Sequence, residues 1–325
     1  MFHGQTVRGN ETSSSDRAPG IPYQRRLEQL SEQSVTKHYD AFRDIPWENP
    51  DYQVDPCDPR WVLTPLEPLA STTWYRTQPK EIQARIGLHH YATLMKIGIE
   101  FENVLERGLL EFALRLPLEA PEFRYVYHEV IEESQHSLMF HEFIRRTGLT
   151  VRGMPALLLI GSRHVVRLSY RFPELFFFFV LGGEEPIDYV QRGLLQGSYP
   201  VHPLLRRIMQ IHVTEEARHV CFAREFLRRN VPRLPRNRRR LLALRLPLLL
   251  SQMARLMLQP SRELVALYQI PRETIREAYH NSEQQRRRLA ASVRKIRELC
   301  EQLELLSPTT LWLWKQTGLL EQALP

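Results

Sequence analysis

Two tetrads, Glu133-Ser134-Gln135-His136 and Glu216-Ala217-Arg218-His219, each set a carboxylate three residues before an imidazole. On a helix, positions i and i+3 lie about 60° apart on one face, so each tetrad can offer both donors to one metal. A single Glu-x-x-His is more often a solvated helix face, and the spacing of the surrounding residues decides between the readings. Glu102 precedes Glu133 by 31 residues, and Glu185 precedes Glu216 by the same interval. One shift of 83 therefore carries Glu102, Glu133 and His136 onto Glu185, Glu216 and His219. Two like helix pairs, each giving one Glu from its first helix and Glu-x-x-His from its second, form a dimetal carboxylate site.

Choices inside the pattern follow from helical position. Among Glu100, Glu102 and Glu106, Glu102 shares its face with Gly98, Leu105 and Leu109, so burial favours it. Glu185 keeps the interval of 31, while its neighbour Glu184 stays open as the alternative beside the Gly182–Gly183 pair and Pro186. Glu129 and Glu132 lack a following His at the right spacing and read as surface groups or as partners of the ligands. His212 stands four residues before Glu216 and seven before His219, which extends the second tetrad to H-x-x-x-E-x-x-H. All three share one helical stripe, and the competing reading of His212 is a packing histidine. His89, His90, His128, His141 and His164 have no such spacing and read as structural.

The elements that must position these residues are helices. Apolar periodicity predicts them near 80–115, 121–147, 152–194 with a break at Gly182–Gly183, 198–229, 237–258, 261–280 with a break at Pro271, 284–305 and 308–320. Arg25–Phe42 forms one more. Strand alternation is almost absent, so the fold class is all-α: a four-helix core carrying the dimetal site, with additional N- and C-terminal helices. Residues 1–24 read as a disordered tail and 25–79, rich in Pro and Trp beyond Ile45, as an extension wrapping the core. Residues 80–325 form the helical domain.

Composition bounds the partners. The 325 residues are 43% hydrophobic and 25% charged, ordinary for a globular protein. Lys and Arg exceed Asp and Glu by 44 to 37, a net +7 that allows nucleic acid without implying it, and no nucleic-acid motif accompanies it. Cys57, Cys221 and Cys300 form no CxxC pair, which excludes a zinc knuckle or disulfide framework and fits a reducing cytoplasm. The N-terminus lacks a secretory apolar stretch. Leu175–Leu181 and Leu241–Leu258 fall short of an uninterrupted apolar span, so no membrane is expected. The arginines from Arg224 to Arg240 read as a solvated face or, if functional, a docking surface for an acidic electron donor.

The set Glu102, Glu133, His136, Glu185, His212, Glu216 and His219 resembles that of the diiron arylamine N-oxygenases, the p-aminobenzoate N-oxygenase family within the ferritin-like superfamily, distinguished by the extra histidine. The likeness spans roughly residues 45 to 260. It implies two irons, O₂ as co-substrate, a homodimer, and oxidation of a small biosynthetic amine through hydroxylamine toward nitroso or nitro products. Independently, four carboxylates offset the charge of a ferrous pair and stabilise its higher valence, though the same ligands leave manganese open. No glycine fingerprint for a nicotinamide or flavin appears, so electrons are expected from an external donor or reductase, or from peroxide. The apolar runs Leu157–Ile160 and Phe176–Val180 would shield the site. A diiron C-hydroxylase or desaturase and, less well, a ferritin-like ferroxidase share the core ligands.

Overall fold

The computed structural model describes residues 22–320. Its elements are α1 (Tyr23–Thr36), α2 (Thr73–Arg76), α3 (Lys80–Ala113), α4 (Pro121–Thr147), α5 (Ala156–Arg171), α6 (Pro173–Gln196), α7 (Pro203–Asn230), α8 (Arg236–Leu258), α9 (Arg262–Leu267), α10 (Arg272–Ile275), α11 (Glu283–Ser292), α12 (Arg294–Gln302) and α13 (Pro308–Gln316). No strand occurs among the described residues, and the all-α ferritin-like class holds. The core is two helix pairs, α3 along α4 and α6 along α7, brought together through α3–α6 and α4–α7 contacts. The outer helices α1, α5, α8 and α11–α13 cover it.

Proline sets several boundaries. It stands at the first helical position of α4, α6, α7 and α13, where its missing N–H costs nothing and its fixed φ suits a helix. Pro173 also divides the stretch predicted as one helix over 152–194. Phe172, held extended before it at φ −149°, ends α5, whereas Gly182–Gly183 continue in α6 without a break. Those glycines serve close packing instead: a Cβ on Gly183 would stand 2.2 Å from the Phe101 ring. The helix predicted over 284–305 is divided at Val293 into α11 and α12, and the one over Arg25–Phe42 ends at Thr36. Of the expected tail, residues 1–21 lie outside the described ones, and α1 already begins at Tyr23.

Between α1 and α3 the Pro- and Trp-rich segment makes three 3-10 turns, Pro50–Tyr52, Pro59–Trp61 and Pro68–Ser71, each led by its proline. Asn49 and Asp58 cap the first two with side-chain oxygens. Trp61 is fully buried and stacks on His202, with ring centroids 4.0 Å apart. Its carbonyl oxygen lies against Gly87 of α3, where a Cβ would stand 1.8 Å away. Only glycine permits this approach.

A second aromatic cluster closes one end of the core: Phe112, Tyr125, Phe177, Phe222 and Phe226 meet with centroids 4.3 to 5.3 Å apart. Phe176–Phe178 are thus buried as expected, but Leu157 and Ile160 of α5 are 78% and 63% exposed, so that run does not shield the site. The stretch Arg236–Leu267 is long and apolar enough to cross a membrane, yet 56% of its most apolar window is buried, much of it against α6.

Candidate metal centre

Six of the seven sequence-derived residues converge between α3, α4, α6 and α7. Glu102 from α3, Glu133 and His136 from α4, and His212, Glu216 and His219 from α7 are all at most 2% exposed. Within each of four groups the donor atoms lie within 4.8 Å of one another: Glu102, His136 and His212; Glu133, His136 and Glu216; Glu184, His212 and Glu216; and Glu102, Glu133 and Glu184; His219 is in none of them and joins through Glu133 and Glu216. The fourth Glu is therefore Glu184 and not Glu185. One residue along a helix turns the side chain by about 100°. Glu185 accordingly points away and is ion-paired with Arg224, beside Asp188 and Arg192 in a second, polar cavity that Glu216 also lines.

Glu133 and Glu216 are the central pair. Glu133 Oε2 lies 2.9 Å from His136 Nδ1 and its Oε1 lies 3.0 Å from His219 Nδ1. Glu216 Oε1 is 3.1 Å from His219 Nδ1 and 3.4 Å from His136 Nδ1. Both imidazoles thus turn Nδ1 inward. Each Nε2 is held outward by the carboxylate that precedes the other tetrad's Glu: His136 Nε2 lies 3.0 Å from Glu215 of α7, and His219 Nε2 lies 2.7 Å from Glu132 of α4. Arg218 Nη2 donates to Glu132 at 2.8 Å, and the Tyr39 backbone N–H donates to Glu215. A carboxylate behind each imidazole fixes its orientation and makes Nδ1 a better donor to a metal. Glu132 fills the partner role the sequence allowed it. Glu215 was missed, although doubled Glu-Glu-x-x-His at a shift of 83 is visible in both tetrads.

His212 is 2% exposed, with Nε2 3.7 Å from Glu102 and 3.9 Å from Glu216. Its ring centroid is 4.7 Å from that of His136. Glu100 instead pairs with Lys96 and accepts from the Met154 N–H, tethering the α4–α5 connection. Glu106 accepts from Ser134. None of His89, His90, His128, His141 and His164 joins the metal groups.

The charges cannot all coexist unaided. Burial, reinforced by the neighbouring Glu133 charge, pushes the Glu102 carboxyl well above its ordinary range. Burial and the charge of Glu216 do the same to Glu184. Burial opposes ionisation of Glu133 too, but His219 and His136 outweigh it and hold its carboxyl well down. Burial and the nearby His136 keep His212 neutral, the form that can donate to a metal.

Four of the eight arginines from Arg224 to Arg240 are ion-paired within the chain: Arg224 with Glu185, Arg228 with Glu225, Arg229 with Glu122 and Arg239 with Glu304. The model of the family described as P-aminobenzoate N-oxygenase AurF matches residues 22–304. The chain belongs to this family. Its ferritin-like diiron oxygenases place the chain among oxidoreductases and fit the carboxylate and histidine groups just described. Relatives include uncharacterized proteins of Mycobacterium tuberculosis and Mycobacterium bovis, 37% identical over 300 residues, 92% of this chain and 88% of theirs.

Proposed function

We propose that this chain is an O₂-dependent diiron N-oxygenase that converts a small amine to its hydroxylamine and onward to nitroso or nitro products. The observation that carries the reading is the buried set of four Glu and three His that includes His212. The residues fit an iron pair. Glu102 Oε2, Glu184 Oε1, Glu216 Oε2 and His212 Nδ1 are buried without a hydrogen-bond partner, and polar atoms so placed call for a cation. Four carboxylates match the charge of two ferrous ions, and three neutral imidazoles complete the donor set without adding charge.

Glu102, Glu133, His136, Glu184, His212, Glu216 and His219 would hold the irons. A ferrous pair, when bound, supplies the reducing power that activates dioxygen for oxidation of the amine nitrogen. Glu132 and Glu215 keep the two Nδ1 donors aimed inward, and Arg218 secures Glu132. The apolar wall beside Glu102, Glu184 and His212 excludes water from the reacting amine. One conversion of amine to hydroxylamine consumes O₂, two electrons and two protons and releases water, so an external electron donor is required. In this reading the enzyme works in the cytoplasm, as a homodimer.

Metal analysis after anaerobic loading should find about two irons per chain, and stoichiometric zinc without iron uptake would reject the reading. Reduced protein given labelled dioxygen and a panel of arylamines should place label on nitrogen. Label found only in C–OH products would favour a diiron C-hydroxylase instead.

A further inference from the structure

Behind Glu102, Glu184 and His212 lies a cavity with about 50 Å³ open to the centre of a water-sized sphere. A site for one ordered water, about 10–15 Å³ when filled by the whole sphere, leaves the sphere's centre almost no room to move, so this space exceeds one water. The space therefore suits a single small ring, and Phe101, Phe140, Tyr91, Met95 and Leu205 give it an apolar, partly aromatic wall. No lysine or arginine lines it. With two ferrous ions offsetting the four cluster carboxylates, Glu132 and Glu215 behind them remain as two carboxylates against the single guanidinium of Arg218. A substrate carboxylate would enter this cavity without a cationic side chain to pair it.

Apart from the metal-side residues, the polar groups on its wall are the Tyr91 phenol and the Gln191 amide. Gln191 is 5% exposed, lines this cavity, and its Oε1 is buried without a hydrogen-bond partner. Its neighbours Asp188 and Arg192 bond one another at 2.7 Å and face the second, polar cavity. Gln191 follows Glu184 by seven residues of α6, two turns along the same face and about 10 Å along the axis. A para-disubstituted ring with one hydrogen bond at its end covers that span.

Resting on the amine-oxygenase reading above, we infer that this cavity selects an uncharged single-ring arylamine with a neutral hydrogen-bonding group para to the amine, gripped by Gln191 while the amine faces the metal cluster. A carboxamide can both donate and accept, so it serves an amide or hydroxyl without requiring charge. Specificity then comes from the buried Gln191 amide in a largely apolar wall, where a ligand lacking that group leaves Gln191 unsatisfied.

Isothermal titration of the iron-loaded protein, kept anaerobic so that nothing turns over, tests this with 4-aminobenzamide, aniline and 4-aminobenzoate at neutral pH. The amide should bind tightest and aniline about three- to tenfold more weakly. The carboxylate should bind at least about tenfold more weakly than the amide. Gln191→Leu should bring the amide down to the affinity of aniline while leaving aniline within about twofold, and the retained aniline binding shows an intact cavity. Should Gln191→Leu fail to fold, the unbranched Gln191→Met serves the same comparison. Equal or tighter binding of 4-aminobenzoate, an amide advantage that survives loss of Gln191, or no binding by any of the three overturns the inference. Because binding is read without O₂, a protein that binds as stated yet oxidises carbon refutes the N-oxygenase reading and leaves this one intact.

Discussion

Replacing Glu184 and Glu185 one at a time by glutamine should have different consequences, although the residues are adjacent and chemically identical. Glu184 shares donor groups with His212 and Glu216 and with Glu102 and Glu133, while Glu185 is paired with Arg224 outside the cluster. Loss of a group that merely supports a metal ligand costs about 10- to 100-fold in affinity, so Glu184→Gln should weaken retention of the second iron by at least about 100-fold, or about 3 kcal/mol. The metal-free protein should respond the other way. Burial and the charge of Glu216 hold the Glu184 carboxyl well above its ordinary range, so its ionised form is disfavoured in the fold at neutral pH. An amide escapes that repulsion, and the midpoint of metal-free Glu184→Gln should rise by a few °C, the scale of about 1 kcal/mol. Glu185→Gln should keep both irons and leave stability within about 1 kcal/mol, because burial pushes the Glu185 carboxyl up to about 6 despite Arg224 and so offsets the lost ion pair. Anaerobic ferrous titration against a competing chelator and calorimetry of the metal-free variants read both effects. Two irons retained by Glu184→Gln and one lost by Glu185→Gln would refute the assignment.

Glu132→Gln and Glu215→Gln should each lower iron affinity about 10- to 100-fold with helicity unchanged, since each braces the histidine of the opposite helix; wild-type affinity in a chelator competition would show the braces to be idle. Side-chain hydrogen bonds from Arg145 and then Arg146 hold the Glu142 carboxyl at about 2. Its folded value is depressed, so its contribution to stability is full above about pH 4.5 and is lost as pH falls toward 2. Glu142→Gln should cost roughly 1 kcal/mol at neutral pH and nothing near pH 2, measured by denaturant titration across that range, and a pH-independent difference would refute it. Gly87→Ala should cost about 3 kcal/mol or more, because its Cβ would stand 1.8 Å from the Trp61 carbonyl oxygen; an unchanged thermal midpoint would contradict the seating of the Pro59–Trp61 turn on α3.

Glu102 and the two tetrads were legible because each choice was a choice of helix face, and helical period is written in the sequence. Glu184 was not, because the interval of 31 runs through connections as well as helices. Residues 114–120 join α3 to α4, whereas the shorter 197–202 joins α6 to α7, so equal spacing in sequence does not place equal faces inward. The period within α6 held the better signal. Glu185, Asp188 and Arg192 form a polar stripe at i, i+3 and i+7, while Glu184 shares its face with Phe177, Leu181 and Gln191. The misplaced break at Gly182–Gly183 has a similar cause. Glycine marks either a broken helix or a close approach, and the ring of Phe101, distant in sequence, decides which. The outward role of Leu157–Ile160 was equally hidden, since an apolar run does not state what faces it.

The repeat also explains why the centre is lopsided. Each tetrad supplies its histidine, but the carboxylate that holds that histidine stands just before the other tetrad, Glu215 for His136 and Glu132 for His219. Neither helix pair alone presents a finished donor set, so the centre forms only when α4 and α7 dock. The shift of 83 that maps the tetrads onto each other pairs His212 with Glu129. Both are buried, but burial leaves Glu129 a neutral acid with neither oxygen hydrogen-bonded, outside every donor group, whereas His212 enters two of them. His212 also lines the apolar cavity, and Glu129 does not. The tetrads are thus near-symmetric while the shift fails at two positions, Glu185, whose place in the cluster Glu184 takes, and Glu129, and both Glu184 and His212 line the apolar cavity.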